Sequence, residues 1–162
     1  CNITSEDRYT LALLNNILGG PNMSSLLNMA VRERNGLCYT IESGVTSYVD
    51  TGVWSIYFGC DEKNLKRTKN ICFNQLDKLC NNPISASRLS TAKRQFIGQM
   101  LIANQNLENV VLNVSKMVLH NIPLLENKKV IERINQISSE EMLSLSQILF
   151  AKNNLSVLTY IE

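Results

Sequence analysis

The chain has 162 residues, of which 44% are hydrophobic, and a formal net charge of +2 at pH 7. This length and hydrophobic content are typical of one folded domain with a substantial core, and they exclude a disordered chain. The small net charge argues against a nucleic-acid partner, and no apolar run reaches the roughly 18 residues that a membrane span requires.

Hydrophobic periodicity predicts two helices, a hairpin, several further helices and a last strand. The predicted elements are, in chain order, a helix from about Ser5 to Leu18, a helix from Ser24 to Asn35, strands over Tyr39–Val49 and Val53–Phe58, a helix from Asp61 to Asn81, a helix from Ser85 that bends near Asn104–Asn106 and continues to Val118, helices over Lys128–Ile137 and Ser139–Phe150, and a strand over Leu155–Ile161.

Three short motifs mark the ends of these elements. The loop Gly19-Gly20-Pro21 stops the first helix, because glycine and proline both disfavour a helix interior. Gly36 suits the left-handed conformation that commonly follows a helix. The run Ser138-Ser139-Glu140-Glu141 has the spacing of a capping box, which predicts where the last helix begins.

Helices and strands in this order indicate a two-layer α+β fold, a mixed sheet with helices packed on one face. Aromatic residues on both sides of the second strand (Trp54, Tyr57 and Phe58) predict that this strand is buried on both faces. Because only three strands are evident for so many helices, we expect a strand before Cys1. Residues 1–162 would then be a single domain of a longer chain.

Arg32 and Tyr39 stand on either side of the Asn35-Gly36 turn. Taken singly, Arg32 is compatible with a solvated helix residue and Tyr39 with a core aromatic. Taken together, their spacing across a helix end and a tight turn can bring a guanidinium and a phenol to one rim. Arginine offers a rigid fork of donors for carbonyl or carboxylate groups, and tyrosine offers a hydroxyl on a stiff ring. Such a pair could hold an extended peptide.

The motifs around this pair are specific in combination. A helix ending in Leu-Gly-Gly precedes a loop with Ser-Ser, and a second helix then runs through Arg-Glu to Gly-Leu-x-Tyr, before an Asp-Thr-Gly turn between two strands. Over Glu6–Phe58 this pattern resembles the carboxy-terminal, non-zinc half of the zinc peptidases of the pitrilysin, insulin-degrading enzyme and mitochondrial processing peptidase family. Beyond Asp61 the resemblance is one of layout alone.

The resemblance implies that Arg32 and Tyr39 bind substrate and that Gly19, Gly20 and Ser25 form a loop near it. It also implies that a zinc-bearing amino-terminal domain, or a partner subunit of the same family, holds the zinc. One departure is Leu26, since family members often carry arginine after the Ser-Ser pair.

No catalytic metal site can be built from the motifs of this sequence. The family's zinc ligands lie in a His-x-x-Glu-His motif, whereas this chain contains a single histidine, His120. A catalytic zinc needs about three protein ligands. We therefore expect no metal bound to this chain, no catalytic residue in it, and no hydrolysis by this chain alone.

The cysteines are odd in number and form no Cys-x-x-Cys pair. A reducing compartment fits this usage best, and it leaves the cytoplasm and a bacterial periplasm both open. A nucleophilic Cys38 paired with His120 is a weak alternative, because no activating group is visible beside Cys38.

Three functions remain open at this point. The first is the substrate-binding, non-metal half of a zinc metalloendopeptidase that degrades or processes peptides inside a closed chamber. The second is a catalytically inactive relative that acts as a scaffold or assembly subunit. The third is an unrelated α+β binding domain. An intact Arg32 and Tyr39 favour the first over the second, because a scaffold does not require that pair.

Overall fold

The structure is a computed structural model that describes residues 2–160. Within these residues no helix combines the length and the apolarity that crossing a membrane requires. The elements are, in chain order, α1 (Arg8–Gly19), a π-helix (Asn28–Glu33), β1 (Thr40–Ser47), β2 (Gly52–Gly59), α2 (Glu62–Asn81), α3 (Ala86–Ala103), α4 (Leu107–Leu119), α5 (Asn127–Gln136), α6 (Ser139–Leu149) and a short 3-10 helix (Lys152–Asn154).

Helix α1 is the centre of the core. Its residues Leu13, Leu14 and Leu18 are fully buried, and the helix contacts β1 as well as α3, α5 and α6. The spacing of these leucines places them on one helical face, as the periodicity of the sequence predicts. Helix α2 packs on α6 and on the π-helix instead of on α1.

Strands β1 and β2 form an antiparallel hairpin that covers α1. The register pairs Thr40 with Gly59 at one end and Ser47 with Gly52 at the other. Residues alternate between a covered and an exposed face along both strands, as the pleat of a strand requires. The expectation that β2 is buried on both faces is wrong, because Tyr57 is 64% exposed on the outer face.

The helices after the hairpin begin and end close to the predicted positions. The Ser85 hydroxyl accepts a hydrogen bond from the backbone N–H of Arg88 and caps α3, and the Ser138 hydroxyl caps α6 in the same way. The predicted bend near Asn104–Asn106 separates α3 from α4, and Asn106 caps α4. None of the residues of α4 is buried in the described chain.

The α+β class, with helices packed against one face of the sheet, is confirmed. In residues 2–160 the sheet consists of β1 and β2, which pair antiparallel. The predicted mixed sheet is therefore not found in this part of the chain, because a mixed sheet also needs a parallel pair of strands. The prediction of a third strand over Leu155–Ile161 is wrong as far as Tyr160, and Ile161 lies outside the described residues. A strand needs a neighbour that takes its backbone hydrogen bonds, and no described backbone hydrogen bond joins residues 156–160 to another segment.

Candidate functional site

Arg32 is carried by the π-helix. A π-helix has a wider turn than an α-helix, because each backbone N–H bonds the carbonyl five residues back instead of four. Here the N–H of Arg34 donates to the carbonyl of Met29 over 3.1 Å. Val31 is fully buried and anchors this turn in the core. The neighbouring Arg32 points outward and keeps 45% of its side chain exposed.

Gly36 reverses the chain between Arg32 and Tyr39. Its φ of +57° confirms the predicted left-handed conformation, which glycine adopts without steric cost. The N–H of Gly36 donates to the carbonyl of Arg32 over 2.9 Å. Leu37 and Cys38 are buried directly after the turn, whereas Tyr39 is 90% exposed. The two candidate residues are therefore both at the surface, one on each side of a fixed turn.

Asn35 ties this turn to α2, a role that sequence reasoning missed. Its side-chain N–H donates to the carbonyl of Ala30 over 2.7 Å, and its side-chain oxygen accepts from the Arg67 guanidinium over 2.8 Å. These two hydrogen bonds fix the end of the π-helix, one to a residue of that helix and the other to α2. Asparagine before glycine is a common turn signal, but the Arg67 partner depends on the packing of a distant helix.

The charge of Arg32 acts on the segment that carries Tyr39. Its Nε lies 3.7 Å from the Glu33 carboxylate, and the side chain stays partly exposed beside this contact. Burial raises the pKa of the Cys38 thiol, the nearby Cys60 raises it further, and Arg32 lowers it by a smaller amount. Cys38 is thus a buried neutral thiol, which is a poor nucleophile, and the alternative of a catalytic Cys38 loses its support.

Gly19 and Gly20 are buried at the end of α1, beneath the loop that follows it. A Cβ atom on Gly19 would lie 2.7 Å from the backbone nitrogen of Ser43, and one on Gly20 would lie 2.7 Å from the carbonyl oxygen of Asn16. Both glycines permit a close approach of backbone segments. Their place near a substrate stays a prediction.

Ser25 and Leu26 both serve the packing of the loop. Ser25 is 3% exposed, and its hydroxyl accepts a hydrogen bond from the Asn28 amide over 2.9 Å. Leu26 packs, partly buried, against the core. The leucine thus fills an apolar position where an arginine would need a partner. The role of Ser25 near a substrate also stays a prediction.

Asn16, Asn22 and Gln99 form a closed ring of side-chain hydrogen bonds. The Asn16 amide donates to the Gln99 oxygen (2.6 Å), the Gln99 amide donates to the Asn22 oxygen (2.8 Å), and the Asn22 amide donates to the Asn16 oxygen (3.0 Å). The ring joins α1, the loop after Pro21 and α3. Sequence reasoning missed it because Asn16 and Gln99 are 83 positions apart.

Residues 1–96 match the model of one protein family, described as the peptidase M16 inactive domain. The match covers more than half of the 162 residues. The chain belongs to the family of peptidase M16 inactive domains. The resemblance found in the sequence is thereby confirmed.

The relatives of this M16 domain include named zinc proteases. The zinc protease YmxG of Bacillus subtilis is 30% identical over 151 residues, which are 91% of this chain and 36% of the relative. The mitochondrial-processing peptidase subunit beta of Mus musculus is 32% identical over 84 residues, 52% of this chain and 17% of that subunit. The chain thus spans about a third or less of the length of the relatives it matches.

Solved structures share the fold of this M16 domain. The inactive peptidase domain of a zinc protease from Bordetella parapertussis superposes with a TM-score of 0.81 at 16% identity, covering 99% of this chain and 87% of that one. A peptidase M16 inactive domain from Pseudomonas fluorescens superposes with a TM-score of 0.79 at 22% identity, covering 91% of this chain and 35% of that one. At these identities the likeness establishes the fold alone.

The side chains of residues 2–160 of this M16 domain form no cluster suited to a zinc ion. In the part of the chain that the structure describes, no group of three or more His, Cys, Asp or Glu side chains is placed to hold a metal. His120 ends α4, and its backbone N–H donates to the carbonyl of Lys116.

Proposed function

We propose that this M16 domain is the substrate-binding, non-metal half of a zinc metalloendopeptidase, and that Arg32 and Tyr39 bind the peptide. The observation that carries the proposal is the exposure of Tyr39. Its side chain is 90% exposed although Leu37, Cys38 and Ile41 around it are buried. A tyrosine held at the surface by buried neighbours keeps its hydroxyl available for a ligand.

The two side chains have complementary chemistry toward a peptide. The Arg32 guanidinium can donate parallel hydrogen bonds to a carbonyl or carboxylate oxygen, and its contact with Glu33 at 3.7 Å is too long to occupy those donors. The Tyr39 hydroxyl can donate to the scissile carbonyl oxygen as that oxygen gains negative charge. The zinc and its ligands belong, in this proposal, to another domain or subunit, and the two halves enclose an extended substrate.

The experiment uses the complete enzyme, with this domain and its zinc-bearing half. Tyr39→Phe should lower kcat about 100-fold, because one preorganised donor to an oxyanion contributes about 3 kcal/mol to the barrier. Zinc content should not change. Tyr160→Phe is the matched control, since Tyr160 is 89% exposed, and it should leave kcat unaltered. Arg32→Lys, which keeps the charge and loses the fork, should chiefly raise KM.

Two results would contradict the proposal. Unchanged peptide hydrolysis in Tyr39→Phe would assign Tyr39 a structural role. The absence of a His-x-x-Glu-His motif from both the parent polypeptide and the adjacent genes would favour the alternative of a scaffold or assembly subunit.

A further inference from the structure

A groove of about 380 Å³, lined by polar residues together with Ile17 and Ala92, lies between the loop at residues 22–25 and the first turns of α3. Helix α3 contributes Arg88, Thr91 and Gln95 to its wall, and the loop contributes Asn22, Ser24 and Ser25. Volumes in this range accommodate a short stretch of an extended ligand. The groove is separate from the Arg32–Tyr39 turn, none of whose residues lines it.

The groove carries a positive charge that nothing in its wall neutralises. Arg88 is the one charged residue in the lining, and it forms no ion pair with any residue between 2 and 160. It stands in the first turn of α3, three residues after the Ser85 cap, where the helix dipole adds a positive partial charge. An anionic group in the groove would therefore be attracted by the Arg88 side chain and by the amino-terminal end of α3.

The amides and hydroxyls around Arg88 add oriented donors. Each amide nitrogen carries two hydrogens, and the ring uses one hydrogen of Asn16 and one of Asn22. The Ser25 hydroxyl oxygen already accepts from Asn28, so its own hydrogen is left to donate. Because the ring holds Asn16 and Asn22 in place, their remaining donors are preorganised, which reduces the entropy cost of binding.

We infer that this groove binds a carboxylate group of the peptide, either an acidic side chain or the carboxy-terminal carboxylate. The inference rests on the proposed function for the identity of the ligand as a peptide. A second groove, of about 480 Å³, gives a contrast: it is lined by Arg34 and Lys78 but also by Asp77. An anion in that second groove would face the like charge of Asp77, whereas the lining of the Arg88 groove contains no acidic residue.

The experiment titrates the isotope-labelled chain with three short alanine peptides and follows its amide resonances by NMR. One peptide has a free carboxy terminus, one is amidated and contains a glutamate, and one is amidated and neutral; all are acetylated. Peptides with a carboxylate should shift the resonances of residues 22–25 and 88–95. We expect a Kd of the order of 10 mM, because an exposed ion pair contributes little by itself and the amide and hydroxyl donors must supply the rest. A response to only one of them identifies the source of the carboxylate.

The variants separate this groove from the rest of the surface. Arg88→Gln should weaken binding of the carboxylate peptides about tenfold, Arg88→Lys less, and Arg94→Gln not at all, because Arg94 is an exposed arginine of α3 outside the groove. Equal shifts with the neutral peptide, or unchanged affinity in Arg88→Gln, would overturn the inference. The resonances of residues 22–25 and 88–95 report this groove and those of residues 32–39 report the proposed Arg32–Tyr39 site, so failure of one is distinguished from failure of the other.

Discussion

Gly19 lies so close to Ser43 that the two residues leave no space for a side chain at position 19. A Cβ atom there would come within 2.6 Å of the Ser43 hydroxyl oxygen and 2.7 Å of its backbone nitrogen. Gly19 ends α1, and Ser43 lies in β1. The contact therefore fixes the hairpin against the central helix, and with it the start of the strand that follows Tyr39.

Gly19→Ala should destabilise the domain. Backbone and core must shift to accept the methyl group, and overpacking of this kind costs about 1–3 kcal/mol in the free energy of unfolding. Gly98→Ala is the matched control, because nothing lies within 4 Å of a Cβ at that helical position, and it should stabilise by about 0.5–1 kcal/mol. Urea unfolding of both variants measures the difference in the free energy of unfolding. Equal unfolding midpoints would show that the hairpin can shift to accept the methyl group without loss of stability.

Much of the local structure could be predicted because its causes are local. The helix stop at Gly19, the left-handed Gly36 and the caps at Ser85 and Ser138 depend on the residues beside them, and the structure has each of them. The alternation of residues along each strand could likewise be predicted from that strand alone. The exposure of Tyr57 shows, however, that such alternation does not reveal which faces of the strand other elements cover.

The rest depends on contacts that no local pattern contains. The π-helix around Arg32 requires one extra residue in a turn, and ordinary helical spacing does not signal it. The prediction of a third strand was wrong over residues 155–160, because extended residues form a strand only beside a partner strand. The ring of Asn16, Asn22 and Gln99 joins three separate elements, so the groove beside it could not be inferred before the helices were placed.

Two buried threonines should respond in opposite directions to replacement by valine. The Thr68 hydroxyl on α2 has no hydrogen-bond partner among the described residues, whereas the Thr10 hydroxyl donates to Glu141. Thr68→Val should raise the free energy of unfolding by about 1 kcal/mol, because it removes an unpaired buried polar group. Thr10→Val should lower it by about 1–2 kcal/mol. Thermal or urea unfolding compares them, and a loss in Thr68→Val as large as that in Thr10→Val would contradict the unpaired hydroxyl.

The stability of the domain should fall in acid through Glu141. Burial alone would raise the pKa of this carboxyl, but hydrogen bonds from Arg133 and Thr10 outweigh it, so the pKa is held below its ordinary value of 4.5. A depressed pKa means that the stabilisation is complete above the unfolded value and is lost as the pH falls through the folded one.

Glu141→Gln tests this dependence. At pH 7 the variant should be less stable than the parent domain by about 1–2 kcal/mol, since it loses charge-assisted hydrogen bonds at a partly exposed site. The difference should shrink as the pH is lowered from about 5 to about 3, because protonation of Glu141 removes the same interactions from the parent. Glu132→Gln is the control, an exposed glutamate of α5 without an ion pair in residues 2–160. Urea unfolding across this pH range measures both, and a constant difference between Glu141→Gln and the parent would mean that the carboxylate charge contributes nothing.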